Sequence, residues 1–240
     1  MKTNSIRTSL FISALMAHVT VAGTLILSED FTTDTTGNWS FAGESTLTGG
    51  EFGGLGYVGA SGDSWGFGPH DGLMRWRPEH TGTSSNQATL IWQELDPGVT
   101  ENASDYTLST TGIHAGHSAT NIYLAIQFED GSSQWAVSDQ SIRTSSGTSA
   151  PIAGSWDLSS LTFSSLDFAN LLGGHGSGVS ASTVLENASG IGIYSRFENR
   201  SWMANDGTYV DSFTVIPEPG TLVLVGVALG AGLVFRRRRK

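Results

Sequence analysis

Residues 121–128 read NIYLAIQF, and their alternation decides the fold class. In an extended chain Ile122, Leu124, Ile126 and Phe128 fall on one face, and Tyr123, Ala125 and Gln127 on the other, the period of two that marks a β-strand. The runs ATLIWQEL (88–95), YTLSTTG (106–112), SQWAV (133–137), GIGIYS (190–195) and TYVDSFTV (208–215) are β-branched or aromatic in the same way. Turn clusters such as EDGSS (129–133), SSGTSAP (145–151) and ANDGT (204–208) separate them. The one helical pattern is SSLDFANLL (164–172), with Gly173 and Gly174 as its stop. Glycine is dense in LTGGEFGGLGYVGASGDSWGFG (47–68), which predicts irregular loops there. With no internal repeat, this spacing of strands predicts one all-β domain, an antiparallel jelly-roll β-sandwich.

The two ends do not fit a sandwich. MKTNSIRTSLFISALMAHVTVAG (1–23) has Lys2 and Arg7, then an apolar run over 10–21, then small residues Ala22 and Gly23, the layout of a secretory signal peptide that a signal peptidase would remove. At the other end, 221–235 carry no charge and are followed by Arg236, Arg237, Arg238, Arg239 and Lys240. As a helix this stretch would cover roughly 22 Å at ~1.5 Å per residue, short of a ~30 Å hydrocarbon core, and the terminal cations would snorkel to make up the difference. The basic flank belongs on the cytoplasmic side. Residues 24–214 are thus expected to form an exported sandwich, with 215–240 as a separate C-terminal segment containing a single transmembrane helix.

Charge narrows the partners. Between the two ends lie 21 of the 22 Asp and Glu but only five bases, Arg75, Arg77, Arg143, Arg196 and Arg200, a net charge of −16 with no lysine. Such a surface repels nucleic-acid phosphates and anionic headgroups and suits divalent cations or neutral glycans. The chain has no cysteine, so no disulfide or thiolate metal site holds the domain together. Burial of apolar surface must do so, and the seven Trp and eleven Phe supply the bulk.

No constellation reads as a catalytic site. Glu94 and Asp96 in WQELDPG (92–98) would share a strand face and offer the two carboxyls that glycoside hydrolysis needs, but a third nearby acid is missing and a Pro-Gly turn follows. This leaves a glycoside-acting enzyme as the alternative to a non-catalytic protein. His114 and His117 in HAGH lack a third ligand in the neighbouring sequence. GFGPHDG (66–72) has neither the lysine nor the helix of a phosphate loop. A structural calcium is a better candidate. LSEDFTTD (27–34) opens the domain and TYVDSFTV closes it, and if first and last strands lie side by side, Glu29, Asp30 and Asp211 converge as oxygen ligands. Among the tryptophans, Trp92 and Trp135 lie within strand patterns and read as core. Trp65 and Trp202 flank loops and are the candidates for stacking on sugar rings.

The tail IPEPGTLVLVGVALGAGLVFRRRRK resembles the PEP-CTERM sorting signal, with Pro217, Glu218 and Pro219 as the motif, then a short apolar segment, then an arginine cluster. That resemblance implies recognition by an exosortase, a membrane-embedded cysteine transpeptidase, a transient inner-membrane intermediate, and a final place at the cell surface or in an exopolysaccharide or biofilm matrix. The prolines stop a membrane helix from continuing outward. EDF near the start, GIGIYSRF and YVDSFTV also resemble carbohydrate-binding and galactose-binding-like jelly-roll modules, which implies a glycan ligand and, in some, calcium near the first and last strands.

Overall fold

The computed structural model describes residues 27–46, 54–61, 70–77, 85–95, 102–111, 114–115, 121–142, 154–200 and 208–217. In chain order the strands are β1 (Leu27–Glu29), β2 (Ser40–Ser45), β3 (Gly54–Ser61), β4 (His70–Arg77), β5 (Ser85–Glu94), β6 (Tyr106–Thr111), β7 (His114–Ala115), β8 (Asn121–Glu129), β9 (Ser133–Ser141), β10 (Gly154–Asp157), β11 (Phe163–Leu166), β12 (His175–Val179), β13 (Ala188–Arg200), β14 (Thr208–Val210) and β15 (Ser212–Pro217). Among the described residues a short α-helix, α1 (Ala181–Glu186), interrupts them. The strands form a four-stranded sheet β1-β15-β6-β10, a seven-stranded sheet β12-β11-β9-β8-β13-β5-β2 and a smaller sheet β3-β4-β14-β7. All the pairings are antiparallel. Neighbours distant in sequence, β1 beside β15 and β13 between β8 and β5, give the jelly-roll sandwich that the strand pattern predicts.

The interlayer core follows from the alternation in 121–128. Ile122, Leu124, Ile126 and Phe128 of β8, Ile91 of β5 and Ile191 and Ile193 of β13 project from one face of the seven-stranded sheet. They meet Leu27, Leu108, Phe213 and Val215 of the four-stranded sheet in one buried cluster. Val184 and Leu185 of α1 and Leu158 and Leu161 after β10 join the same cluster.

Three local expectations change. Residues 164–172 do not form a helix. Ser164 and Leu166 pair with Val137 and Trp135 of β9, and the chain then turns into a 3-10 segment at Leu171–Gly173. Sheet pairing competes with the helical spacing there. So do the side-chain oxygens of Asp167 and Asn170, which accept from the amides of Ala169 and Gly173 at 2.9 and 3.1 Å. The stop after it is real, since Gly174 has φ +68°. Second, part of the glycine-rich stretch is ordered as β3, paired along β4. Third, TYVDSFTV is two strands: β14 belongs to the small sheet, the chain bends at Asp211, and β15 continues in the four-stranded sheet to Pro217. The sheet therefore runs past the expected boundary at 214, and Pro217 pairs with Tyr106.

Candidate functional site

The seven-stranded sheet has a second face. Alternate residues Leu90 and Trp92 of β5, Ala125 of β8, Trp135 and Val137 of β9, Leu166 of β11 and Tyr194 of β13 point away from the sandwich core and form a separate apolar cluster. Residues 167–174 cross this face like a strap. Tyr194 Oη donates to the Leu171 carbonyl at 2.8 Å, and the Leu172 amide donates to Glu44 Oε2 at 2.8 Å. Leu171, within the strap, is buried against the sheet.

Beside the strap the face is open and aromatic. Phe168, carried by the turn after β11, is 46% exposed. Its ring lies 6.0 Å from Trp135 at an interplanar angle of 17°, and Trp92 stands edge-on to both, 5.4 Å from Trp135 and 5.7 Å from Phe168. Trp135 is buried beneath, so Trp92 and Phe168 present the accessible rings. The floor next to them is flat for a steric reason. Gly192 pairs with Trp92 and Ala125, and a Cβ there would collide with the Ile91 carbonyl and the Trp92 backbone. Gly190 pairs with Glu94 and Gln127, and a Cβ there would meet Gln127 Oε1 at 2.8 Å. The polar groups at hand are Gln127, whose amide donates to Ser133 at 2.7 Å, and Glu94, whose Oε1 is 3.5 Å from Trp92 Nε1, long for a hydrogen bond. The segments around the rings contribute exposed Glu94, Glu129 and Asp167, while the base on this face of β13, Arg196, lies against Gly174 of the strap. Flat aromatic faces over a Gly floor with neutral and acidic polar groups can stack a sugar ring and bond its hydroxyls. They do not suit an anionic ligand.

Of the residues expected from sequence, Trp65 and Trp202 lie outside the described residues, as do Asp96, Glu218 and Pro219. Glu94 is exposed at the end of β5. The expected pairing of first and last strands is present, with Glu29 opposite Phe213. Two of the acids near it accept local hydrogen bonds. Glu29 Oε2 accepts from Thr35 Oγ1 at 2.9 Å, and Asp30 Oδ1 accepts from the Thr32 amide and hydroxyl at 3.1 and 3.0 Å. Those bonds, the backbone one foremost, hold the Asp30 carboxyl below its ordinary pKa. Asp211 sits at the bend between two sheets. Among the described residues no three His, Asp or Glu side chains are grouped so as to hold a metal ion. The platform itself is a surprise. Trp92 and Trp135 read as core, and Phe168 fell within the expected helix. The available signal was parity: Trp92 and Glu94 share the face opposite Ile91.

Pro217 ends the last strand, and the tail beyond it settles the question of sorting. Residues 215–239 match the PEP-CTERM protein-sorting motif. This PEP-CTERM segment marks the chain for exosortase-dependent export through a membrane-anchored stage. The expected membrane segment 221–235 is outside the described residues, and among those described no helix is long and apolar enough to cross a membrane. No curated protein matches the chain. Among solved structures it is similar to TmCBM27, a carbohydrate-binding module studied for specific mannan recognition. The identity is 10% and the TM-score 0.37, over 81% of this chain and 98% of that one. It is also similar to the xylan-binding module CBM15, at 10% identity and TM-score 0.33 over 82% and 98%.

Proposed function

We propose that the exported sandwich is a non-catalytic, glycan-binding component of the cell surface or exopolysaccharide matrix, and that Trp92 and Phe168 form its contact with a neutral polysaccharide. The observation that supports this reading most is the aromatic platform. Two accessible rings, buttressed by buried Trp135, stand on an outer sheet face beside a glycine floor. An exposed aromatic has no folding role comparable to that of a buried one, and the acidic surroundings select against uronic-acid or phosphate polymers. Exosortase and signal peptidase would be the processing partners.

Affinity electrophoresis through gels containing mannan, xylan or other neutral polysaccharides tests the reading. The exported chain should be retarded by at least one of them. Trp92→Ala and Phe168→Ala should each weaken retention by about tenfold, the loss of one stacking contact, while both variants remain folded. Equal mobility of all three proteins in every gel would overturn it. Because Glu94 stands beside Trp92, the enzyme reading has its own test. Release of reducing ends from a polysaccharide, abolished by Glu94→Gln, would replace the binding module by a glycoside-acting enzyme.

A further inference from the structure

The PEP-CTERM segment leaves the sheet at a defined end of the sandwich, and so does the other terminal segment. β1 and β15 are antiparallel, with Leu27 opposite Val215, so the chain enters the fold where it exits. Downstream, Pro217 is the last strand residue and the uncharged stretch starts at Thr221. That leash of three residues, four Cα–Cα steps, spans at most ~14 Å fully extended. Upstream, five residues separate Leu27 from the end of the apolar run at Val21, six Cα–Cα steps of at most ~20 Å in all.

Hydrogen bonds identify what else lies at this end. Tyr106, opposite Pro217, donates its amide to Ala103. Ala103 donates to the Leu185 carbonyl of α1, and two residues on Asn187 accepts from the Glu129 amide. The end of the sandwich that carries the tail is therefore the one where α1 enters β13 and β8 turns into β9. Ile216, one of two exposed large apolar side chains among the described residues, is there. So are Trp92 and Trp135, each two residues from the end of its strand.

We propose that, while tethered, the sandwich stands end-on at the membrane, with the α1 and β8–β9 end, and the aromatic platform with it, next to the lipid surface. Chain length enforces this proximity and charge opposes it. Asp105, Glu129, Asp130 and Glu186 are exposed at this end, and the turns and strand ends that form it contain no Lys or Arg. An anionic bilayer repels such an end, so the tether alone holds it there and cutting the tether releases it. If the platform takes glycan, as proposed above, a tethered molecule takes it at the membrane surface. The orientation itself depends on the sorting segment and not on the glycan reading.

β8 is a ruler for the test, since Asn121 and Glu129 lie at its two ends, about 27 Å apart at ~3.4 Å per residue. Both are exposed, and the chain has no cysteine to compete for label. Full-length Glu129→Cys and Asn121→Cys proteins, each carrying a fluorescent donor, are reconstituted into phosphatidylethanolamine–phosphatidylglycerol vesicles bearing a headgroup acceptor. Energy transfer should be several-fold stronger from position 129 than from 121. Asp130→Cys should repeat the result from position 129. A long Gly/Ser linker inserted between Ile216 and Pro217 should abolish the difference, and Trp92→Ala should leave it intact. Equal transfer from both positions, or stronger transfer from 121, would overturn the orientation alone. A chain that does not float with the vesicles would overturn it together with the membrane-anchored stage.

Discussion

The two faces of the seven-stranded sheet share strands but not purpose. On the inner face β8 presents Ile122, Leu124, Ile126 and Phe128, all fully or almost fully buried, within one interlayer cluster. On the outer face the same strand presents Tyr123, Ala125 and Gln127. That face is sealed by the 167–174 strap over part of its width and left open at Trp92 and Phe168 over the rest. The difference teaches that burial on both sides of a strand does not mean two equivalent cores. The inner face holds the fold, and the outer face holds a strap that positions an exposed ring.

That comparison breaks most readily at Phe128, which is 1% exposed against 46% for Phe168. Phe128→Ala removes a ring from the interlayer core and leaves a cavity, so urea unfolding should show a loss of about 3–5 kcal/mol. Phe168→Ala should cost no more than ~0.5–1 kcal/mol, since most of the ring area it deletes already faces water or a neighbouring ring. Comparable losses from the two variants would mean that the outer face is as much a part of the folding core as the inner one.

A smaller effect tests the strap. Tyr194 is fully buried and its hydroxyl reaches the Leu171 carbonyl at 2.8 Å. Tyr194→Phe removes that bond but leaves the carbonyl the Gly174 amide at 3.1 Å, and should lower stability by about 0.5–1.5 kcal/mol. It should also speed amide exchange at Leu172 and Gly173, whose N–H groups are held by Glu44 and Asn170, more than in β8. Uniform acceleration through the sheet would deny the strap any independence.

The inner face was legible in the sequence because a core between two sheets imposes strict alternation, and NIYLAIQF keeps it. The meeting of the first and last strands was legible too, from the topology such sandwiches favour. The tail announces itself by the order of its parts. The outer face was not legible, for a physical reason. A strand buried on both sides shows apolar residues at successive positions, as at Leu124, Ala125 and Ile126, and parity then no longer says which aromatic is covered. Whether Trp92 is open depends on where the strap stops, and the strap was hidden inside a segment with helical spacing. The local bonds of the acids near the start to Thr32 and Thr35 were not legible either, because composition does not reveal which side chain a carboxylate meets.

The weakest effect lies at the edge of the same outer face, where Ser164 of β11 donates to Asp139 Oδ1 of β9 at 2.6 Å. That bond is the main reason the Asp139 carboxyl is held below its ordinary 3.8. Burial acts weakly against it, and Thr162 and the positive charge of His175 add smaller pulls in its favour. A carboxylate whose folded pKa is depressed contributes stability that is fully present above its unfolded pKa and is lost as pH falls through the folded one. Wild type should therefore be slightly more stable than Asp139→Asn near neutral pH, and the gap should close below about pH 4 as both carry an uncharged group. Urea midpoints measured across that range check the sign. A gap that widens on acidification would mean that Asp139 is strained rather than stabilised by its serine, and that the β9–β11 edge beneath the strap is held by backbone pairing alone.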